Sequence, residues 1–260
     1  MGAIDTAAGR IGYIDNGTAI GEPILFLHGV GSDKSVWQPQ LDHFRRQRTA
    51  IAMDYPGYGD SALQPDAARD EYARAAFALL DTLGHDRAHI CGLSLGGVVA
   101  IAMHALARDR CRSLILADTF AAHHDGQGIY DRSIAASTNL RALAEGRVDV
   151  LLAQPANPAL RSAVVETMSA IDPDAYCLGA AAVWLADQRE RVAEIGVPTL
   201  VMCGALDVVT PPTLSRDLAA AIPGADLILI DGAGHLANIE KPAEFNAALD
   251  LFLLRAEQKN

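Results

Sequence analysis

The chain reads as an α/β fold: a mostly parallel central sheet covered by helices on both faces, with a helical lid inserted past its middle. Three observations predict it. Short apolar runs bounded by Gly, Pro or Asp alternate with longer stretches whose apolar residues recur every three or four positions. The 260 residues are 50% hydrophobic and 20% charged, enough for a sizeable core and far from a disordered or coiled-coil composition. Between residues 120 and 191 the alternation stops.

In chain order, a polar hairpin is expected around 10–14, then strands at 24–27, 49–53, 88–92, 113–117, 198–203 and 226–230. Most of these runs are too short and too apolar to be anything but central strands buried on both faces. Amphipathic helices are expected at 70–83, 96–107, 214–221 and 242–254, with Pro211, Pro212 and Pro242 where helices start. Residues 120–191 contain Pro155, Pro158 and Pro173 and read as several short Ala-rich helices. The organisation that follows is a core of 1–119 and 192–260 with the lid, 120–191, set into it.

Lys and Arg number 21 against 32 Asp and Glu, a net charge of −11. That sign opposes binding to nucleic acid or to an anionic membrane surface. Cys91, Cys111, Cys177 and Cys203 form no CxxC pair and no zinc spacing, so free thiols in a reducing compartment are expected. Residues 1–17 carry Asp5, Arg10 and Asp15 with no apolar stretch, and no run approaches the roughly 18 apolar residues of a membrane span. A cytoplasmic monomer or homodimer acting on a small molecule is the expectation. The Met1-Gly2 to Thr6 spacing also satisfies a loose N-acylation pattern, but one acyl chain anchors only marginally.

The sharpest chemical signal is Gly92-Leu93-Ser94-Leu95-Gly96, directly after an apolar strand and directly before a helix. That is the setting of a nucleophile elbow, in which small neighbours let strand and helix close around a strained serine. A serine that merely caps the next helix would share the pentapeptide, so the partners decide. A serine hydroxyl needs a base, and the base needs an acid to fix its tautomer. Asp207 follows the strand 198–203 and His235 follows the strand 226–230, each at a strand C-terminal end where α/β sites form. Asp118, which ends the strand 113–117, is the reserve acid. The backbone N–H of Leu95 and that of Val30, in His28-Gly29-Val30-Gly31, are the expected oxyanion donors.

Gly57-Tyr58-Gly59-Asp60-Ser61-Ala62 matches a dinucleotide fingerprint, but Pro56 precedes it and a loop delays the helix, so no helix N-terminus meets the glycines. Neither a Walker lysine motif nor a clustered metal constellation occurs, and no metal or organic cofactor is expected.

These motifs, with Asp54 to Ser61 and Gly204-Ala205-Leu206-Asp207, resemble the α/β-hydrolase superfamily over nearly the whole chain. Cys91 to Gly97, Asp207 to Pro212, Gly234 to Pro242 and the lid stretch Ile171 to Tyr176 look most like 3-oxoadipate enol-lactonases and near relatives. The resemblance implies hydrolysis of a carboxylic ester or lactone through an acyl-enzyme, with Ser94 as nucleophile, His235 as base, Asp207 orienting it, and no cofactor. The same triad would serve a C–C bond hydrolase or a perhydrolase, and the same fold a non-catalytic ligand receptor. Two departures bear on substrate: Pro56 and Tyr58 replace basic residues of the usual loop, and Trp184-Leu185 stands where the lactonases carry an Arg-Asp pair. A carboxylate left without a cation is costly, so a less polar acyl substrate is expected. His28, Trp37, Phe120, Tyr176 and Trp184 are the residues expected around it.

Overall fold

In the computed structural model, which describes residues 2–258, one eight-stranded sheet organises the chain. Met1, where the acylation pattern begins, lies outside the described residues. The strands are β1 (Gly2–Thr6), β2 (Gly9–Asp15), β3 (Ile24–Leu27), β4 (Ala50–Met53), β5 (Ala88–Leu93), β6 (Cys111–Ala117), β7 (Thr199–Gly204) and β8 (Asp226–Ile230). They lie in the order β1-β2-β4-β3-β5-β6-β7-β8. β1 and β2 pair antiparallel, as do β2 and β4, and every pairing from β4 to β8 is parallel. The six expected apolar strands are all present. The hairpin expected around 10–14 is formed by β1 and β2 and turns at residues 7–8, so that 10–14 lies within β2; β1 is half exposed at the sheet edge and carries no apolar run to mark it.

The helices are α1 (Gln38–Phe44), α2 (Arg69–Thr82), α3 (Leu95–Leu106), α4 (Gly126–Ala136), α5 (Leu140–Leu151), α6 (Pro158–Ser169), α7 (Pro173–Trp184), α8 (Arg189–Ala193), α9 (Pro212–Ala221), α10 (Ala237–Glu240) and α11 (Pro242–Gln258). Parallel crossovers are right-handed. From β3 to β4 the chain steps toward one edge and from β4 to β5 it steps back past β3, so α1 and α2 fall on opposite faces. α11 packs with α1, and α3 with α2. Strands β3, β4 and β5 are thereby buried along their whole length, as continuous apolar runs require.

The strand order reverses beside β3, which opens a crevice between the C-terminal ends of β3 and β5, where open α/β sheets bind ligands. Four helices, α4 to α7, leave the core after β6 and stand over this edge. Their starts are written in the sequence. Asn157 and Asp172 accept hydrogen bonds from the first-turn amides of α6 and α7, whose first residues are Pro158 and Pro173. The antiparallel pair α5 and α6 is tied by Arg141–Glu166 and Asp149–Arg161. The expected boundary at 191 falls inside α8, which packs on α3 and α9. None of the described helices is long and apolar enough to cross a membrane.

Candidate active site

Only Ser94 separates the end of β5 from the start of α3. So sharp a reversal puts its backbone at φ 55°, ψ −113°, a strained region for a residue with a Cβ. The strain is held by local bonds: Ser94 N–H donates to Ala117 O at 2.9 Å, and its carbonyl accepts from the Thr119 hydroxyl at 2.8 Å. Close approach demands the flanking glycines. A Cβ at Gly92 would lie 2.1 Å from Gly96 O, and one at Gly96 would lie 2.0 Å from Leu27 O. Ser94 Oγ has no hydrogen-bond partner among the described residues and faces a cavity shared with His235.

His235 sits on the loop after β8. Its Nδ1 is 2.8 Å from Asp207 Oδ2. The Thr210 hydroxyl donates to that same oxygen at 2.7 Å, while Asp207 Oδ1 accepts from the Val209 and Thr210 amides at 2.7 and 3.0 Å. With Nδ1–H committed to the carboxylate, Nε2 is the ring nitrogen that can accept a proton. Burial alone would raise the Asp207 pKa, but the His235 charge and these hydrogen bonds outweigh it and hold the carboxyl at about 2. The loop itself is anchored from outside the sheet. His235 N–H donates to Leu151 O at the end of α5, and Glu240 accepts from the Gly234 and Ala153 amides.

Asp118, the reserve acid, is also at a strand end but is directed elsewhere. Its Oδ1 accepts from Gly204 N–H at 2.7 Å, and its Oδ2 is buried without a partner. Burial pushes its pKa far up and the neighbouring Asp207 adds to this, so Asp118 is a neutral acid beneath Asp207. Cys203 lies with both, the three donor atoms within 4.8 Å of one another. Burial keeps its thiol protonated as well. Both oxygens of Asp207 are already engaged, by the Val209 and Thr210 amides, the Thr210 hydroxyl and His235, which leaves the cluster short of free donor atoms for a divalent cation.

The loop after β3 packs against the serine, and a Cβ at Gly29 would lie 3.5 Å from Ser94 Cβ. The Gly29 carbonyl accepts from His28 Nδ1 at 2.8 Å and from Ser32 N–H at 3.2 Å. Because the peptide is trans, pinning that carbonyl aims the Val30 N–H the opposite way. The next carbonyl, Val30 O, accepts from Tyr58 Oη at 3.2 Å. Neither Val30 N–H nor Leu95 N–H, the first residue of α3, has an acceptor among the described residues.

The cavity between sheet edge and inserted helices measures about 170 Å³. Tyr176 and Trp184 line it as expected. Three expected neighbours do not. His28 is fully buried beneath the loop, where burial lowers its pKa against the pull of Asp54 and keeps it neutral. Trp37 is a core residue stacked on Phe26 at a ring separation of 4.7 Å. Phe120 is fully buried behind Trp184, ring on ring at 5.8 Å. Each aromatic found a larger apolar contact inside than the cavity offers. Among the walls that sequence reasoning missed are Arg147, Leu151, Leu160, Val164 and Met168 of α5 and α6, with Val36 and Ile239 from the core. A signal existed for Arg147, since it is the one charged member of the row Leu143, Arg147, Leu151, spaced by four on a helix.

A profile of the alpha/beta hydrolase family matches residues 24–248. The 3-oxoadipate enol-lactonase 1 of Acinetobacter baylyi is 27% identical over 240 residues, 88% of each chain. Among solved structures, the enol-lactonase of Burkholderia xenovorans LB400 superposes with a TM-score of 0.91 at 25% identity, over 97% of this chain and 100% of its own. A thermophilic esterase from Thermogutta terrifontis gives a TM-score of 0.88 at 25% identity over 98% of each chain.

Proposed function

The chain belongs to the alpha/beta hydrolase family, and from that premise we propose that it is a serine hydrolase cleaving a carboxylic ester or lactone through an acyl-enzyme. One observation carries the reading: the 2.8 Å His235–Asp207 hydrogen bond borders the same cavity as Ser94 on its strained turn. The resemblance to an enol-lactonase and an esterase over nearly the full chain supports the choice of bond.

In this mechanism Ser94 Oγ attacks the carbonyl carbon while His235 Nε2 takes its proton. Asp207 stabilises the resulting imidazolium and fixes its orientation. The oxyanion is held by the unpaired amides of Val30 and Leu95, worth roughly 3–4 kcal/mol for each such donor. Collapse breaks the bond to the leaving oxygen, which receives the His235 proton. Water then attacks the acyl-enzyme by the same sequence, its proton passing to His235 and then to Ser94 Oγ as the acid is released. With a lactone the leaving hydroxyl stays on the acyl chain, so one hydroxy acid is the product.

The test is turnover of p-nitrophenyl acetate and butyrate together with fluorophosphonate labelling, on the wild type and Ser94→Ala. Both signals are expected, and both should vanish in the variant. A folded wild type that neither turns over ester nor takes the label would instead make the fold a ligand receptor.

A further inference from the structure

We infer that the substrate carries a carboxylate at the end remote from the scissile carbonyl, and that Arg147 of α5 binds it. The inference rests on the hydrolase reading and adds the class of molecule that the site accepts.

Among the described residues, the arginines without an ion pair are Arg10, Arg46, Arg147 and Arg216. Of these only Arg147 is partly buried, and the others are exposed. Its neighbours on the same pair of helices are all matched: Arg141 with Glu166, and Arg161 with Asp149. Arg147 also makes no hydrogen bond to a described residue. Its guanidinium donors are therefore free to meet a ligand. Arg147 borders the cavity that holds Ser94 and His235; its other walls on α5 and α6 are Leu151, Leu160, Ala163, Val164 and Met168, with Thr167 the one polar residue among them.

Arg147 lies four residues, about 6 Å of helix rise, before Leu151, whose carbonyl accepts from the His235 amide. Arg147 and His235 thus border one cavity from the same end of α5, and substrates of graded chain length read the span between them. Arg147 and Trp184 also border a second, more open cavity of about 520 Å³. The anionic end would thus bind at the junction of the two, partly hydrated, with the apolar chain against the α6 wall. The sequence suggested that a substrate carboxylate would find no cation, since Trp184-Leu185 occupies the lid position expected to hold one. The fold brings the cation from a different helix.

The experiment compares the mono-p-nitrophenyl esters of succinate, glutarate and adipate with neutral p-nitrophenyl esters of equal chain length, on the wild type, Arg147→Gln and Arg147→Lys. A charge-assisted bidentate contact predicts that Arg147→Gln loses about tenfold to hundredfold in kcat/KM on the anionic esters, chiefly through KM. The neutral esters should stay within about threefold, and Arg147→Lys should recover part of the loss. Equal losses on both ester classes, or none on either, overturn the inference while leaving the hydrolase reading intact. Glutarate binding followed by tryptophan fluorescence reads the same site without catalysis. Saturable binding that Arg147→Gln abolishes supports the inference even if no ester is turned over, and its absence in the wild type refutes it.

Discussion

Replacing Asp207 by Asn should cost catalysis far more than its size suggests, because the surroundings decide which way the new amide points. Oδ1 of Asp207 accepts two backbone N–H groups, Val209 at 2.7 Å and Thr210 at 3.0 Å. Those donors cannot turn round, so the single oxygen of the asparagine must stay with them. The amide NH₂ then takes the place of Oδ2 and donates to His235 Nδ1. The ring must carry its proton on Nε2, the atom that has to accept from Ser94. In a serine protease with the same arrangement that tautomer error costs about 10⁴-fold in kcat, or roughly 5.5 kcal/mol. We expect a loss of about 10³- to 10⁴-fold in kcat on p-nitrophenyl butyrate, with KM little changed. Stability should fall too. Asp207 is held at about 2 against an ordinary 3.8, worth about 2 kcal/mol. Because its folded pKa is depressed, that contribution is present above about pH 4 and lost as pH falls toward 2. The unfolding free energies of wild type and variant should therefore converge over that window. A loss of activity under tenfold would refute the tautomer argument. The double variant with Asp118→Asn then distinguishes the causes: a further drop means that Asp118 had become the acceptor, and none means that His235 is not the base.

Two further substitutions test the scaffold. Asp118 is buried as a neutral acid accepting from Gly204 N–H, so Asp118→Asn should keep activity within about threefold. Its raised pKa means that the fold holds a proton the unfolded chain releases above pH 3.8, so the variant should be at least as stable as wild type at pH 8, by denaturant titration. Asp118→Ala instead orphans the Gly204 amide and should cost about 1–3 kcal/mol. Gly96→Ala places a methyl 2.0 Å from Leu27 O and should destabilise by more than about 3 kcal/mol or prevent folding. Gly146→Ala, inside α5 with open space around it, should stabilise by about 0.5–1 kcal/mol in the same denaturant titration.

What was legible in the sequence divides along a physical line. Strands β3, β4 and β5 are buried on both faces, so their residues must be apolar without interruption, and a run such as Ile24 to Leu27 marks both strand and end. The positions of Ser94, Asp207 and His235 were legible because strand ends are fixed by topology, and the structure sets Ser94 and His235 on one cavity with Asp207 2.8 Å from His235. The cavity wall was not, because apolar side chains do not declare which apolar surface they meet. Trp37 and Phe120 carry the same composition signal as Trp184, yet Trp37 stacks on Phe26 and Phe120 fills the space behind the wall. His28, expected beside the substrate, is buried beneath the loop instead. Its contribution is to the backbone, through the Gly29 carbonyl that it pins.

The inserted helices are more than a cover over a finished site. His235 owes its backbone position to Leu151 O, and a Cβ at Gly234 would meet Ala153 N at 2.7 Å and Leu151 O at 3.0 Å. The position of His235 is therefore set partly by the last turn of α5. Arg147 projects from the turn before it, so the group proposed to bind the substrate's far end and the group proposed to move its proton share one rigid segment. A shift of α5 that relocates the cation must also move the His235 amide. Chain length and catalytic alignment are then not independent: an acyl chain too long or too short to reach Arg147 without displacing α5 loses kcat as well as affinity.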